Sequence, residues 1–487
     1  MSTVFKIYPS IGIARIGNAP GNAPGDYYYG PEYPGQVVVP PSYKDAQGRV
    51  LRQAARFRIY RYDNNVLVGE VTADPSQDIS ITWTVELANT KAAYNQFEGI
   101  GMTGPLRNPH VTNRSILMIT PGPRTIGPGS SAAFDSGSFL GVPVPLGEIQ
   151  TDSSGRLTVL GGFGNSGSPV NAPLTTFANN DGWHDDVSDG PVNAVVTIAG
   201  ASYPAVGAWV ICPSPRFAPP VPQVISLYDT LLQTAVNLGL STVPSTPSFT
   251  YDIYPMLMAQ YLLQWVAQHI PGSYYAALEA AMNQNATPAQ RYAVFWQIRP
   301  PTTPPTTPTP ELMPPFWTTY FADTPAIGWF SQPVTAVQYY MLQQWAAGNF
   351  IADWPGTSST AITPNGLTRA ALENCNGGPF FPGIDTSYMT ADNYPYIEPF
   401  RLDSSQLQAG DLTRQNAEPW QADFLDCDYE APLSWWPVSR PEDVYLPGSQ
   451  TTIPWDYGIH SYMDMVNLWS TRGFLRQEGN SIYLYPS

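Results

Sequence analysis

Cysteine is almost absent from this chain. Only Cys212, Cys375 and Cys427 occur among 487 residues, an odd and sparse set that excludes a disulfide framework. No CxxC pair is present, which removes the usual spacing of a structural zinc site. Histidine is nearly as scarce, with His110, His184, His269 and His460 scattered along the chain. A three-histidine metal centre would use almost all of them, so no metal site is expected. Gly-x-Ser-x-Gly, Walker and HExxH motifs are missing as well, which argues against the corresponding hydrolase, nucleotide and zinc-protease chemistries. No run of about eighteen apolar residues appears, so no membrane span is expected. The opening Met1-Ser-Thr-Val-Phe-Lys6 lacks the basic start and apolar stretch of a secretory signal. Maturation in the cytoplasm is therefore expected, with export by another route left open. Charge is also sparse, at 12% of residues, and the balance of 38 acids against 22 bases gives −16. That sign argues against nucleic acid and anionic membranes as partners.

What the chain does have is proline (52), glycine (40), tyrosine (29) and an apolar fraction of 43%. This composition favours strands, turns and ordered loops over helix bundles. Residues 1–216 read as a β-rich domain. Val4–Tyr8, Arg56–Tyr62, Ile79–Leu87, Ser115–Ile119, Leu157–Leu160, Ala194–Ile198 and Ala208–Ile211 are short β-branched runs punctuated by Gly, Pro, Asn and Asp. Such spacing predicts a sandwich or stacked sheets. Residues 217–374 read as mainly helical. Three- and four-residue apolar periodicity marks Ser226–Leu238, Tyr254–Gln268, Ser273–Asn283, Thr287–Ile298, Val337–Gly348 and Thr368–Asn374. A proline-rich strap over 299–316 interrupts them. Residues 375–487 are irregular and rich in Gly, Pro and Trp, with a last helix near Tyr462–Arg472. The fold class is α+β.

The C-terminal stretch concentrates unusual chemistry. Trp420, Trp435, Trp436, Trp455 and Trp469 surround Cys427, which is flanked by Asp423, Asp426, Asp428 and Glu430. Carboxylates so near a thiol raise its pKa and oppose a cysteine nucleophile. They could instead manage protons while an oxidisable Cys and Trp are cross-linked; tryptophan clusters also arise from packing alone. Two other segments invite a ligand and fall short of it. Gly161-Gly-Phe-Gly-Asn-Ser-Gly167 lacks the strand–GxGxxG–helix setting of a nucleotide site. Asp181-Gly-Trp-His-Asp-Asp-Val-Ser-Asp-Gly190 is acidic without the spacing of a calcium loop.

The order of motifs carries a resemblance. Ile11-Gly-Ile-Ala-Arg-Ile-Gly-Asn18 opens the series. It continues with Gly182-Trp-His-Asp-Asp-Val-Ser-Asp-Gly-Pro-Val192, Ala208-Trp-Val-Ile211, Phe217-Ala-Pro219 and Asp252-Ile-Tyr-Pro255. Next come Arg369-Ala-Ala-Leu-Glu373, Gly377-Gly-Pro-Phe-Phe-Pro-Gly-Ile384 and Pro419-Trp-Gln-Ala-Asp-Phe424, leading to Cys427. Trp435-Trp-Pro437, Arg440-Pro441, Met465-Val466, Trp469 and Gly473-Phe474 complete it. Taken together the series resembles the lysine ε-oxidase/glycine oxidase family, the cysteine tryptophylquinone-dependent oxidases, over nearly the whole chain. The resemblance implies a protein-derived cysteine tryptophylquinone made from Cys427 and Trp469, with Trp455 and Trp436 as rival tryptophans. It implies that Asp423 is needed for cofactor formation and that Cys375 lies near the active site. The chain departs from the family pattern at Asp385, where Glu is expected, and at His184, where Tyr is expected. Both departures bear on substrate choice.

The implied reaction is oxidative deamination of a primary amine or amino acid by O2, giving an aldehyde or oxo-acid, ammonia and H2O2. Ordinary side chains do not accept two electrons from an amine, so the quinone is chemically necessary. Asp423 is the first candidate base, followed by His460 and His184; Arg440 is a candidate partner for a substrate carboxylate or a brace for its own loop. The resemblance also implies a flavoprotein maturation partner, and a homo-oligomer is compatible with it. Two other readings remain: a quinoprotein amine dehydrogenase using another electron acceptor, and a cofactor-less binding or structural homologue.

Overall fold

A computed structural model describes residues 2–99, 102–266, 270–301, 312–313, 333–356, 359–377, 384–386, 395–426 and 439–485. Alternation of apolar residues builds two sheets in the N-terminal half. In strand Ile79–Val85, Ile81, Trp83 and Val85 are buried; in strand Ser188–Ile198, Val192, Ala194 and Val196 are. A period of two places each set on one face. These strands pair antiparallel in a six-stranded sheet ordered Ile11–Ile13, Ala208–Cys212, Ser188–Ile198, Ile79–Val85, Arg124–Ile126, with Ala201–Pro204 also on Ser188–Ile198.

The seven-stranded sheet is ordered Thr3–Tyr8, Arg52–Asp63, Leu157–Leu160, Glu148–Thr151, Ser131–Ala133, with Tyr27–Tyr29 and Val66–Val71 also on the long strand Arg52–Asp63. The two sheets share one apolar core. Phe5, Ile7, Phe57 and Ile59 from one meet Ile81, Trp83, Val196 and Val210 from the other, each such burial contributing about 2 kcal/mol. The sandwich expected from strand spacing is present.

One expected strand is not. Ser115–Ile119 falls in a 3₁₀ turn, Arg114–Leu117. The Arg114 guanidinium folds back on the carbonyls of Asn108 (2.7 Å) and Arg107 (2.8 Å). Those bonds curl a segment whose β-branched composition favours extension, so tertiary context overrides propensity.

Eight helices follow among the described residues: α1 (Leu227–Asn237), α2 (Tyr254–Leu262), α3 (Gly272–Ala281), α4 (Pro288–Phe295), α5 (Ala336–Ala346), α6 (Pro364–Glu373), α7 (Trp420–Asp426) and α8 (Tyr462–Leu468). Local chemistry starts several of them. Ser226 and Asp229 form a capping box on α1, and Thr287 and Gln290 form one on α4, where Pro288 occupies the first turn. The α2 pattern stops earlier than its periodicity suggests, passing into a 3₁₀ turn at Leu263–Trp265. Of the proline-rich strap, 302–311 and 314–316 lie outside the described residues; the Arg299 amide at its start donates to the Met313 carbonyl at 2.7 Å.

The helical middle and the C-terminal segment share a single core. Leu257, Leu278, Val294 and Trp345 cluster with Phe217, Trp420, Trp455, Trp469 and the closing hairpin Phe474–Glu478/Ser481–Tyr485. The fold is α+β, with helices gathered on a β sandwich. No helix among the described residues is long and apolar enough to cross a membrane.

Candidate active site

The site is organised by α7, a helix that could not stand alone. Seven residues are about two turns, well short of an independently stable helix. Tertiary contacts clamp both its ends. At the N-terminus the Trp420 amide donates to Asp185 Oδ2 at 2.9 Å, placing a carboxylate where the helix dipole is positive. Asp185 is itself held by the Lys91 ammonium, by Asn89 Nδ2 and by the Val187 amide. At the C-terminal end, Arg440 Nε donates to the Phe424 carbonyl at 2.7 Å, while its Nη2 reaches Asp456 at 2.9 Å. Arg440 is fully buried and its donors are committed to this clamp. It therefore braces its loop, and its planar fork is spent on protein partners.

α7 carries Asp423, whose side chain is fully buried. The helix ends at Asp426, one residue before Cys427, which lies outside the described residues together with Trp435 and Trp436. Against α7 stands Trp469, the first residue of a 3₁₀ turn that continues α8. Its indole is 4% exposed and meets Trp420 edge-on, with ring centroids 5.4 Å apart.

The opposite wall is the segment Gly161–Gly167. Gly164 has φ +74°, and a Cβ there would lie 2.1 Å from Trp469 Cζ2 and 2.8 Å from Cη2. The backbone thus lies directly on the benzenoid edge of the indole, a contact that only glycine permits. Several bonds fix this wall. The amides of Phe163 and Asn165 donate to Asp186 Oδ2 at 2.6 and 3.0 Å. Gln421 of α7 donates to the Gly164 carbonyl and accepts from Ser166. Gly167 exchanges a pair of 3.0 Å backbone bonds with His184.

The acidic motif is accordingly a hub of buried acceptors. Asp185 holds α7, Asp186 holds the glycine wall, and Asp189 accepts from Trp209, Leu412 and Thr413. Burial pushes the Asp186 carboxyl up to about 7 and the Asp189 carboxyl up to about 6. Among the described residues no group of three or more His, Cys, Asp or Glu is arranged to hold a metal ion.

The other sequence candidates divide. His184 is buried against Phe139, and burial lowers its pKa despite the neighbouring Asp185. It adjoins the glycine wall through Gly167. His460 is exposed at the start of α8, its amide donating to Asp464. Cys375 is buried in another apolar cluster, with Ile11, Ile13, Trp209 and Leu372. Burial and the adjacent Asp385 raise its thiol pKa well above the ordinary range. Asp385 accepts from both Arg15 Nη1 (2.8 Å) and Arg15 Nη2 (3.1 Å), which ties the opening motif to this segment. Trp455 donates its indole N–H to the Gly473 carbonyl at 3.1 Å and is enclosed by Phe217, Phe424 and Arg440.

Sequence reasoning passed over Gly164, Asp186, Gln421 and Ser166. The glycine-rich segment stood out in the sequence, which set it aside as a nucleotide site; in the structure it lies on an indole. Nothing in its spacing names that partner.

Known proteins resemble this one over nearly the whole chain. The model of the L-lysine epsilon oxidase N-terminal domain matches residues 8–212, and that of the L-lysine epsilon oxidase C-terminal domain matches 330–447. A curated relative, L-lysine 6-oxidase of Marinomonas mediterranea, is 25% identical, with 99% of this chain and 88% of the relative covered. The crystal structure of L-Lys epsilon-oxidase from the same organism superposes with a TM-score of 0.80 at 23% identity, covering 99% of this chain and 94% of that one. The structure of its Schiff base intermediate with L-Lys gives 0.81 at the same identity, covering 99% and 95%. At that identity the two structures establish the shared fold.

Proposed function

The chain belongs to the L-lysine epsilon oxidase family, and from that premise we propose that it oxidatively deaminates a primary amine or amino acid. The overall change is R–CH2–NH2 + O2 + H2O → R–CHO + NH3 + H2O2, with an oxo-acid in place of the aldehyde when the α-amine of an amino acid reacts. The observation that carries the reading is the seating of Trp469. Its benzenoid edge lies on a glycine backbone where a Cβ would come within 2.1 Å, beside the helix that delivers Asp423 and leads to Cys427. A buried indole whose benzenoid edge meets the side-chain-free backbone of Gly164 fits a residue that must gain ring substituents. Trp455, with its N–H bonded and its faces covered, fits that demand less well.

In this proposal Cys427 and Trp469 hold the cofactor, cysteine tryptophylquinone. It would supply the two-electron acceptor that ordinary side chains lack. The remaining work falls to the protein's own groups. Asp423, fully buried on α7, is the base that takes a proton from the substrate carbon. Trp420 and the glycine wall keep water from the reacting edge. His184, held neutral by burial, is placed by Gly167 to accept or pass a proton near that wall. His460, exposed at the start of α8, is suited to exchange protons with solvent. Cys375, its thiol kept protonated, adds a small polarisable surface rather than a nucleophile. A flavoprotein partner matures the chain, and amine and O2 are its substrates.

Peptide mapping of protein matured in its native host tests the assignment. The expected product is a Cys427–Trp469 cross-linked peptide with two oxygens gained and four hydrogens lost. A cross-link to Trp455 would move the site, and unmodified peptides would remove the oxidase reading. Peroxide release from an amine panel under air, with no such release under another acceptor alone, separates an oxidase from a dehydrogenase.

A further inference from the structure

Away from Trp469 the fold holds an open cavity of about 1210 Å³ between the N-terminal strands, α1, α2, α5 and α6. Trp469, Asp423, His184 and Cys375 do not line it. Its walls are aromatic at Tyr28, Tyr228, Tyr254 and Phe400, and the Tyr228 and Phe400 rings stack 4.9 Å apart. Aromatic walls with polar groups set among them are the usual make-up of a small-molecule site.

The charged groups facing this cavity are mostly accounted for. Lys6 and Arg401 pair with Glu398, and Arg369 pairs with Glu373 at 2.6 Å. Arg216 stands apart. It is 5% exposed and lines the cavity. Its Nη1 donates to the Asn374 side-chain carbonyl and its Nη2 to the Val221 carbonyl. Among the described residues it has no carboxylate partner, and its Nε has no acceptor. The nearby carboxylate, Asp385, is held by both terminal nitrogens of Arg15. Two buried guanidiniums therefore share one carboxylate, and the acids that face the cavity with Arg216, Asp229 and Asp252, accept from the Ser226 and Ser248 amides rather than from it. Burial, with Arg15 adding to it, lowers the Arg216 pKa to about 10. A buried charge without a counter-ion is costly to the fold, and an anion in the cavity would remove that cost.

We infer that this cavity is a binding site for a small monocarboxylate, with Arg216 as its counter-ion. Asp229 and Asp252 line the same cavity, which disfavours phosphates and other polyanions. The carboxylate could belong to an amino acid or to an oxo-acid, and both present the same group to Arg216.

Isothermal titration of the full-length protein with hexanoate tests this directly, because hexanoate has no amine and is not oxidised. Hexanamide is the neutral control. Saturable hexanoate binding, with hexanamide weaker by about tenfold or more, supports the site. Arg216→Gln should weaken hexanoate by a similar factor, with thermal unfolding read alongside to show that the variant is folded. Equal affinity for hexanoate and hexanamide, or no saturable heat from hexanoate at millimolar concentration, overturns the inference. The comparison on the unmutated protein stands even if the variant fails to fold. Titrations with L-norleucine and 2-oxohexanoate under nitrogen then show which kind of carboxylate the cavity prefers. Loss of hexanoate binding would leave peroxide production untouched, so failure here is distinct from failure of the oxidase reading.

Discussion

Replacing Gly164 by alanine tests the geometry around Trp469 most sharply. The added methyl would begin 2.1 Å from Cζ2 and 2.8 Å from both Cε2 and Cη2. The indole must retreat by roughly 1.4 Å or more to restore an ordinary contact. It has little room, because Trp420 stands on another side and the wall is pinned to Asp186 and Gln421. Overpacking of this kind costs about 1–3 kcal/mol, and alanine at φ +74° adds about 1 kcal/mol of backbone strain. The chemical consequence should exceed the loss of stability. A displacement of even about 1 Å lowers the rate of a geometry-dependent reaction by about 100-fold, so cross-linking to Cys427 should fall to a few per cent or less. The assay is the ratio of cross-linked to free tryptic peptides after maturation, alongside thermal unfolding. Gly129→Ala serves as the strain control, since Gly129 has φ +68° and nothing within 4 Å of a Cβ. Undiminished cross-linking in Gly164→Ala, with a stability loss no larger than that of Gly129→Ala, would refute the reasoning.

Other perturbations probe the remaining supports. Cys427→Ala and Asp423→Ala should each abolish quinone absorbance while the far-ultraviolet circular dichroism stays native; absorbance persisting in Cys427→Ala would refute the cofactor assignment. Arg440→Met leaves Asp456 and the Phe424 carbonyl without their donor, so unfolding by urea should show a loss of about 3 kcal/mol and a reduced yield of cross-link. Asp186, with its carboxyl raised to about 7 by burial, is favoured in its neutral form by the fold. Its contribution is fully present below the unfolded value near 3.8 and is lost as pH rises through about 7. Asp186→Asn keeps an acceptor for the Phe163 and Asn165 amides, so its Tm relative to the native protein should rise between pH 5 and pH 8. A difference independent of pH would show that Asp186 is ionised throughout.

Elements written in local pattern were legible without coordinates. The alternation in Ile79–Val85 and Ser188–Ile198 gave sandwich strands, and Ser226 with Asp229 marked the start of α1. The motif series named the family, and it singled out Asp423, Cys427 and Trp469 as the residues to examine. Segments governed by distant partners were misread or missed. Ser115–Ile119 has strand composition, yet Arg114 reaches back to the Arg107 and Asn108 carbonyls and to that of the more remote Ala92, and curls it into a turn. Arg440 stood open between a substrate carboxylate and a brace for its own loop, and only its donors to Phe424, Pro441 and Asp456 decide for the brace.

The sequence by itself determined the α+β class, the β-rich first half, most of the helices and the chemistry to look for. Those properties follow from periodicity, caps and residue type, all of which act within a few neighbours. The tertiary structure alone decided that a seven-residue helix persists because Asp185 and Arg440 hold its ends, and that the glycine-rich segment is a wall for Trp469. It also left Arg216 buried beside an Asp385 already taken by Arg15. Each of these depends on which groups meet after the chain closes, and where buried donors and charges find, or lack, their partners.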